Sequence, residues 1–261
     1  MARVHPTAVV DPRAELGAGV EVGPFCVVGP GVRIGAGTRL LSHVVLDGDT
    51  QVGERNVLHP FSVVGGDPQI RKRADAASSA RLALVIGDRN VFREHVTVNV
   101  SSTDGVTSIG SNNLLMAGCH VAHDVVLGSS CVVANGVQLA GHVTVEDHVT
   151  FGGLAAVAQH VRVGQGAFVA GGAMCERAVP PFVIVQGDRA RVRALNVVGL
   201  RRRGVPEESI ARLRAAYRRL FVRRECPIED VLAALDRSDP WVDTFARAVG
   251  RVDGAQTTGQ G

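Results

Sequence analysis

The sequence predicts an all-β chain wound as a coil of very short strands, followed by a small α-helical domain. Three observations carry this. Among 261 residues only 4% are aromatic while 31 are glycine, so the core must be built from Val, Leu, Ile and Ala on a backbone that turns often. Every sixth residue from Val4 to Ile70 is aliphatic, twelve in a row without a miss. The period then disappears beyond VPPFVIVQGD, where helical spacing replaces it.

A period of six fits neither the 3.6 of a helix nor simple alternation, although six contains three alternations. Each hexad is therefore a short strand closed by a corner, and the Gly, Asn, Asp and Pro that often follow the aliphatic position (VGPFCV, IGAGTR, IGSNNL, LGSSCV) tolerate corner backbone angles. The phase breaks over residues 71–85, resumes at Ile86, Phe92 and Val98, shifts by five through residues 99–108, and then runs from Ile109 to Cys175. Both interruptions read as excursion loops, where binding residues tend to sit. Beyond them, residues 206–224 open with Pro and acidic residues and set Ile210, Leu213, Tyr217, Leu220 and Phe221 on one face, as an amphipathic helix does. A second helix starts at PIEDVLAAL and a third segment surrounds Trp241 and Phe245, with AQTTGQG expected to fray. The domains expected are 1–186 for the coil, with excursions at about 71–85 and 99–108, and 187–261 for the helices.

Composition excludes several classes. The 46% hydrophobic and 20% charged residues are ordinary for a water-soluble domain. No apolar run approaches the ~20 residues that span a bilayer, and MARVHPTAVV lacks the regions of a signal peptide. Five cysteines without a CxxC pair suit a reducing compartment. A cytoplasmic protein is expected, with no stable membrane insertion and no nucleic-acid partner. Residues 187–261 carry 15 Arg against 10 acidic residues in a chain of net charge +3; these are either solvated helical faces or a surface for an acidic partner.

The hexads, over residues 4 to 185, resemble those of the left-handed parallel β-helix acyltransferases. That resemblance implies triangular coils of 18 residues, about nine of them, in a prism roughly 40 Å long at ~4.8 Å per strand. It alone supplies the left hand, since the general rule for parallel crossovers favours the right. Residues 18 apart then stack: Asp124, His142 and His160 form one column, and His123, Gly141 and Gln159 the column beside it. Together with His120, four of the nine histidines gather within about three coils.

Three readings of this cluster compete. A histidine with an adjacent carboxylate is the usual general base toward a hydroxyl. Histidines also bind zinc, as in carbonic anhydrases built on a similar β-helix, but those resemble a pattern of histidines five apart within one coil, and His120 and His123 are three apart. The third reading is a structural ladder of polar residues. The first is preferred, with no metal and no cofactor expected.

The resemblance becomes specific at HPTAVVDPRAELGAGVEVGPFCVVGP, IGDRNVFREHVTV, IGSNNLLMAGCHVAHDVVLG, LAGHVTVED, VPPFVIVQGD and LNVVGLRRRG. Together these are similar to the UDP-N-acetylglucosamine O-acyltransferases that begin lipid A biosynthesis. The family moves a 3-hydroxyacyl group from acyl carrier protein to the sugar 3-hydroxyl and works as a homotrimer with sites between subunits. The resemblance implies His123 as general base, Asp124 as its partner, His120 as a ligand-positioning neighbour and the Gly141 N–H as oxyanion donor. It places His142, Gln159 and His160 along the sugar and acyl sites, Gly171 where the acyl length is limited, and Asn196, Arg202 and Arg203 on the sugar and nucleotide positions. Gln69 and Lys72, the chain's only lysine, match the first excursion.

The chain departs from the family in four places. Ile70 replaces an expected sugar-contacting aspartate; Asn99, Val100 and Ser101 stand where His-Arg-Gly or Asn-Arg-Gly is usual, so a substrate-facing arginine is lost; Ala158 replaces a frequent histidine; Val198 replaces a glutamate. A different UDP-sugar or an amino-sugar acceptor, a zinc-dependent hydratase and a non-catalytic paralogue remain the alternatives.

Overall fold

The computed structural model describes residues 1–70, 83–103, 105–223 and 227–257, with side chains as far as residue 250. The hexads wind into a three-sided prism of parallel strands, most of them two residues long. One face runs from Arg3–Val4 to Val183–Gln186, the second from Val9–Val10 to Met174–Cys175, and the third from Glu15–Leu16 to Arg162–Val163. The prism is left-handed. Neighbouring strands pair at 18-residue separation, as Arg39 with Val57 and Leu114 with Val132.

The two breaks in the repeat are insertions into single coils. Val57 pairs with Val91, 34 residues on, and Val91 with Leu114, 23 on. The strand Ala83–Ile86 pairs with both Asp49–Val52 and Val106–Ile109. Ala83–Val85 and Val106–Ser108, assigned above to the excursions, are therefore strand; their side chains alternate on a normal ladder, and only the six-residue phase had been lost. Asn99 likewise ends the strand Thr97–Asn99.

The sixth residue of each hexad points inward. Leu40, Leu46, Leu58, Leu115 and Leu139 are 1% exposed or less. At the open N-terminal end no coil lies above to cover the repeat, and Val4 stays 45% exposed. Ile70, which continues the count, is 44% exposed because the strand before it ends at Gly66. At one interior corner Thr38, Asn56, Asn90 and Asn113 stack fully or almost fully buried. Asn56 Oδ1 accepts from the Asn90 amide N–H at 2.8 Å, and Asn90 Oδ1 from the Asn113 amide at 2.9 Å, while each Asn Nδ2 donates to a main-chain carbonyl. The ladder satisfies polar groups that a dry core would otherwise leave unpaired.

Corners explain the many residues with left-handed backbone. Asp124, His142 and His160 have φ of 60°, 61° and 63°. Such angles are uncommon outside glycine, and here they repeat once per coil, so that three polar side chains leave the prism in line.

The last prism strand, Val183–Gln186, also pairs antiparallel with Arg191–Leu195. Four helices follow: α1 (Val197–Arg202), α2 (Glu207–Tyr217), α3 (Ile228–Ala233) and α4 (Pro240–Thr257). Ile210, Leu213 and Leu220 are buried as expected, and Tyr217 and Phe221 pack half-buried beside them. Regular helix ends at Tyr217 rather than 224, widening into a π-helical turn over Arg218–Arg223 that stacks Phe221 on Tyr217 at 5.6 Å while keeping Leu220 inside. The helix α4 reaches Thr257, into the segment expected to fray; residues 258–261 lie outside those described.

Candidate active site

The two columns expected from the 18-residue period are present. The His142 amide donates to the His123 carbonyl at 3.1 Å and the His160 amide to the Gly141 carbonyl at 3.2 Å, which keys one coil to the next. The His142 and His160 rings stack at 4.6 Å, and His142 Nε2 lies 3.6 Å from Asp124 Oδ2.

His123 Nδ1 is 2.8 Å from Asp124 Oδ2, and the His123 residue is 6% exposed. A carboxylate only accepts, so in the neutral ring the proton sits on Nδ1 and Nε2 keeps its lone pair. That is the tautomer a general base needs. Burial pushes the Asp124 carboxyl up, but hydrogen bonds from the Ser102 hydroxyl, from His123 and from the Ser102 amide outweigh it, and the group is held below the ordinary carboxylate range. It stays ionised and fixes the ring.

The clamp on Asp124 comes from the second excursion, and no motif or spacing in the chain points to it. Ser102 Oγ donates to Oδ2 at 2.5 Å, and the Ser102 amide lies 3.2 Å from both carboxylate oxygens. The Asp124 amide donates to Thr107 Oγ1 at 2.7 Å. Ser102 is 22 residues before Asp124, a spacing that the 18-residue count cannot flag because an insertion lies between.

Gly141 is required by contact. A Cβ built there would fall 2.6 Å from His123 Cε1 and 2.8 Å from Nε2, so the ring lies directly on the glycine. Beside it His120 Nδ1 is 2.8 Å from Thr97 Oγ1, and burial, with the neighbouring His123, lowers the His120 pKa and keeps it neutral.

Gln69, His120, His123, Gly141 and Gln159 share one open groove of about 320 Å³, with Gln138 and Ala156 completing its floor. Gln138 and Ala156 follow His120 at 18-residue steps, so the same count that found His142 would have found them. His142 and His160 stand at the corner beside the groove, and Ala158 is exposed there. Gly171 is not in the groove wall; its Cβ position meets the Gly153 carbonyl at 3.3 Å. Lys72 lies outside the described residues.

Asn196, Arg202 and Arg203 line a different pocket of about 430 Å³, with Ser130, His148 and Gly166, and it shares no residue with the first. Its wall residues Thr150, Phe168 and Ile184 belong to the first prism face, whereas His120, Gln138 and Ala156 belong to the second. Within one protomer the catalytic corner and these arginines thus face different ways. Asn196 is occupied structurally: Oδ1 accepts from the Gly199 amide at 3.0 Å, capping α1, and Nδ2 donates to the Gly166 carbonyl at 3.0 Å. Arg203 lies over both Phe182 and Trp241, 5.7 and 5.0 Å from their ring centres, while the two rings meet each other at 5.6 Å, and its buried Nη1 has no hydrogen-bond partner. Arg202 is exposed, and so is Val198.

Val100 needs correction. It was read as a substrate-facing position that has lost its arginine, yet it is 2% exposed and packs on the main core. Its Cγ1 lies 2.9 Å from where Gly48 would carry a Cβ, so the coil closes over it.

Among the described residues, His123, Asp124 and His142 form the one group of three metal-capable donors within 4.8 Å of one another. The two histidines in it are not the pair that the sequence spacing had tested. Cys26, Cys119, Cys131 and Cys175 are buried free thiols. No helix among the described residues is long and apolar enough to cross a membrane.

The prism and its histidine–carboxylate corner define the class, a hexapeptide-repeat transferase; the family model for bacterial transferase hexapeptide repeats matches residues 107–141. The model for the second domain of UDP-N-acetylglucosamine O-acyltransferase matches residues 179–253. The acyl-[acyl-carrier-protein]–UDP-N-acetylglucosamine O-acyltransferase of Myxococcus xanthus is 49% identical over 90% of both chains. That of Neisseria meningitidis serogroup B is 46% identical over 91% of both. A crystal structure of UDP-N-acetylglucosamine acyltransferase superposes with TM-score 0.86 at 38% identity over 94% of each chain. The chain belongs to the UDP-N-acetylglucosamine O-acyltransferase family.

Proposed function

We propose that the protein moves a 3-hydroxyacyl group from acyl carrier protein to the 3-hydroxyl of UDP-N-acetylglucosamine, the first step of lipid A biosynthesis. The observation that carries this reading is the His123–Asp124 pair at 2.8 Å, seated on Gly141 in a groove, with Nδ1 engaged by the carboxylate and Nε2 left over for the substrate. In the proposed mechanism His123 Nε2 takes the proton of the sugar hydroxyl as its oxygen attacks the thioester carbonyl. The resulting imidazolium is balanced by Asp124, and the Gly141 N–H holds the oxyanion. Collapse of the adduct expels the carrier thiolate, which recovers the proton from His123. Gln69, His120, His142, Gln159 and His160 would position the sugar and acyl groups, and Gly171 leaves the path of a long acyl chain unobstructed.

The working unit is proposed to be a homotrimer. Catalytic corner and nucleotide arginines lie on different faces of one prism, and a neighbouring copy can bring the second pocket to the first groove. Arg202, exposed at that pocket, is the better phosphate ligand; Arg203, packed over the touching rings of Phe182 and Trp241, serves the junction of residues 1–186 with the helical domain 187–261. The basic helical domain suits an acidic carrier protein, and the buried free cysteines among the described residues suit the cytoplasm.

Mass spectrometry of acyl transfer from 3-hydroxyacyl carrier proteins to UDP-N-acetylglucosamine tests the reading. The native chain should form the ester and His123→Ala should lose it by ~100-fold or more. Product only with another UDP-sugar would move the acceptor, and equal rates for native chain and variant would remove His123 from the mechanism.

A further inference from the structure

We infer that the catalytic corner is also a binding site for one divalent first-row metal ion of the zinc type, and that occupancy switches the general base off. The donor residues are His123, Asp124 and His142, each with a ligand atom within 4.8 Å of the others, and His123 Nδ1 and His142 Nε2 both face Asp124 Oδ2. Tetrahedral zinc with ligands at 2.0–2.2 Å sets them about 3.3 Å apart. The observed separations from Asp124 Oδ2, 2.8 Å to His123 and 3.6 Å to His142, bracket that value, so small side-chain rotations suffice. A fourth position toward the groove is left for water or a substrate oxygen. Two imidazoles and one carboxylate suit zinc, cobalt and nickel rather than magnesium or calcium.

The site is built rather than accidental. Asp124 is tied by Ser102 and Thr107, His142 is stacked on His160, and both ligand-bearing residues sit at corners keyed by main-chain hydrogen bonds. An outer shell of this kind orients metal ligands. Its second histidine is His142, one 18-residue coil after Asp124, and not His120, the neighbour in local spacing.

The consequence follows from the imidazole. In the free protein the single ring proton is on Nδ1 and Nε2 is the base. An ion on Nδ1 displaces that proton, and the neutral ring then carries it on Nε2, where it cannot accept another. The metal also takes the Asp124 oxygen that would balance an imidazolium. Binding itself does not depend on the acyltransferase reading; the loss of turnover does.

Zinc chloride titrated into the full chain against a chromogenic chelator measures the affinity, and cobalt(II) in its place gives a visible d–d spectrum that reports the ligand geometry. The expected result is one ion per chain with a tetrahedral cobalt spectrum. Affinity should fall by more than the ~10–100-fold that loss of an outer-shell partner costs in both His142→Asn and Asp124→Asn; asparagine tolerates the left-handed backbone at each corner, and circular dichroism verifies the fold. With acyl transfer measured on the same native samples, the rate should fall in step with zinc occupancy and return on chelation. No uptake by the native chain, or uptake unaltered in both variants, overturns the site. A rate that rises with zinc, or stays constant at full occupancy, overturns the switch. A chain that binds zinc as described but shows no transfer under any condition leaves the site standing and refutes the acyltransferase reading instead.

Discussion

At the scale of single residues, the site is a set of contacts with no slack. The His123 ring lies on Gly141 so closely that an added methyl group must displace it. Gly141→Ala is therefore expected to retain the fold, by circular dichroism and thermal melting, while losing activity by at least ~100-fold, the scale of a lost general base. Ser102 acts through Asp124 and not on substrate. Ser102→Ala removes a hydrogen bond to a charged group, about 1.5–3 kcal/mol, and should lower kcat roughly 10-fold or more with little change in KM. Ser102→Thr restores the hydroxyl and should recover most of the rate. A rise in KM alone would instead assign Ser102 to substrate binding.

At the scale of elements, most strands here are two residues long and cannot stand alone; each is held by the coils beside it. The helical domain depends more on single anchors. Asp239, 4% exposed, caps α4 by accepting from the Trp241 amide at 2.9 Å and the Val242 amide at 3.4 Å, and it pairs with Arg212 at 3.2 Å. Burial raises its pKa, but hydrogen bonds from Ser209, from these amides and from Arg212 prevail and hold it below the usual value. A carboxylate depressed in the folded state contributes stability above its unfolded pKa, about 3.9. That contribution fades as pH falls through the lower folded value. Chemical denaturation followed by Trp241 fluorescence should show this loss below about pH 4 in the native chain. Asp239→Asn should show a weaker dependence there and, at pH 7, a stability lower by about 0.5–2 kcal/mol for the weakened cap.

At the scale of the whole molecule, the separation of the two pockets has a distinctive outcome. If the site is completed by a neighbouring copy, His123→Ala and Arg202→Ala are each defective alone. Unfolded together and refolded as mixed trimers, they should regain a measurable share of native acyl transfer, because some interfaces then combine an intact His123 from one copy with an intact Arg202 from another. Sedimentation of the native chain should give three times the 27.4 kDa of one chain. A monomeric native chain, or mixtures no better than the separate variants, would return both pockets to a single protomer.

Much of this was legible in the sequence because a β-helix converts linear period into space. With coils of 18 residues, positions that far apart in an uninterrupted stretch must be neighbours, which is why the Asp124–His142–His160 column and the place of His123 on Gly141 are legible in the sequence, while the helical tail is legible from its own 3.6-residue spacing. The reading weakened wherever chain length and geometry part company. An insertion of five residues hid Ser102 from Asp124, strands resumed inside the first excursion at Ala83, and Val100 turned inward because the coil closes over Gly48. The repeat by itself determined the prism, its stacked polar corner and the residues able to act as base and partner. Only tertiary structure decided which oxygen of Asp124 faces His123, that His142 rather than His120 completes a three-donor cluster, and that the arginine pocket opens on another face. Those are directions in space, set by left-handed corners and by packing across coils, and no one-dimensional period encodes them.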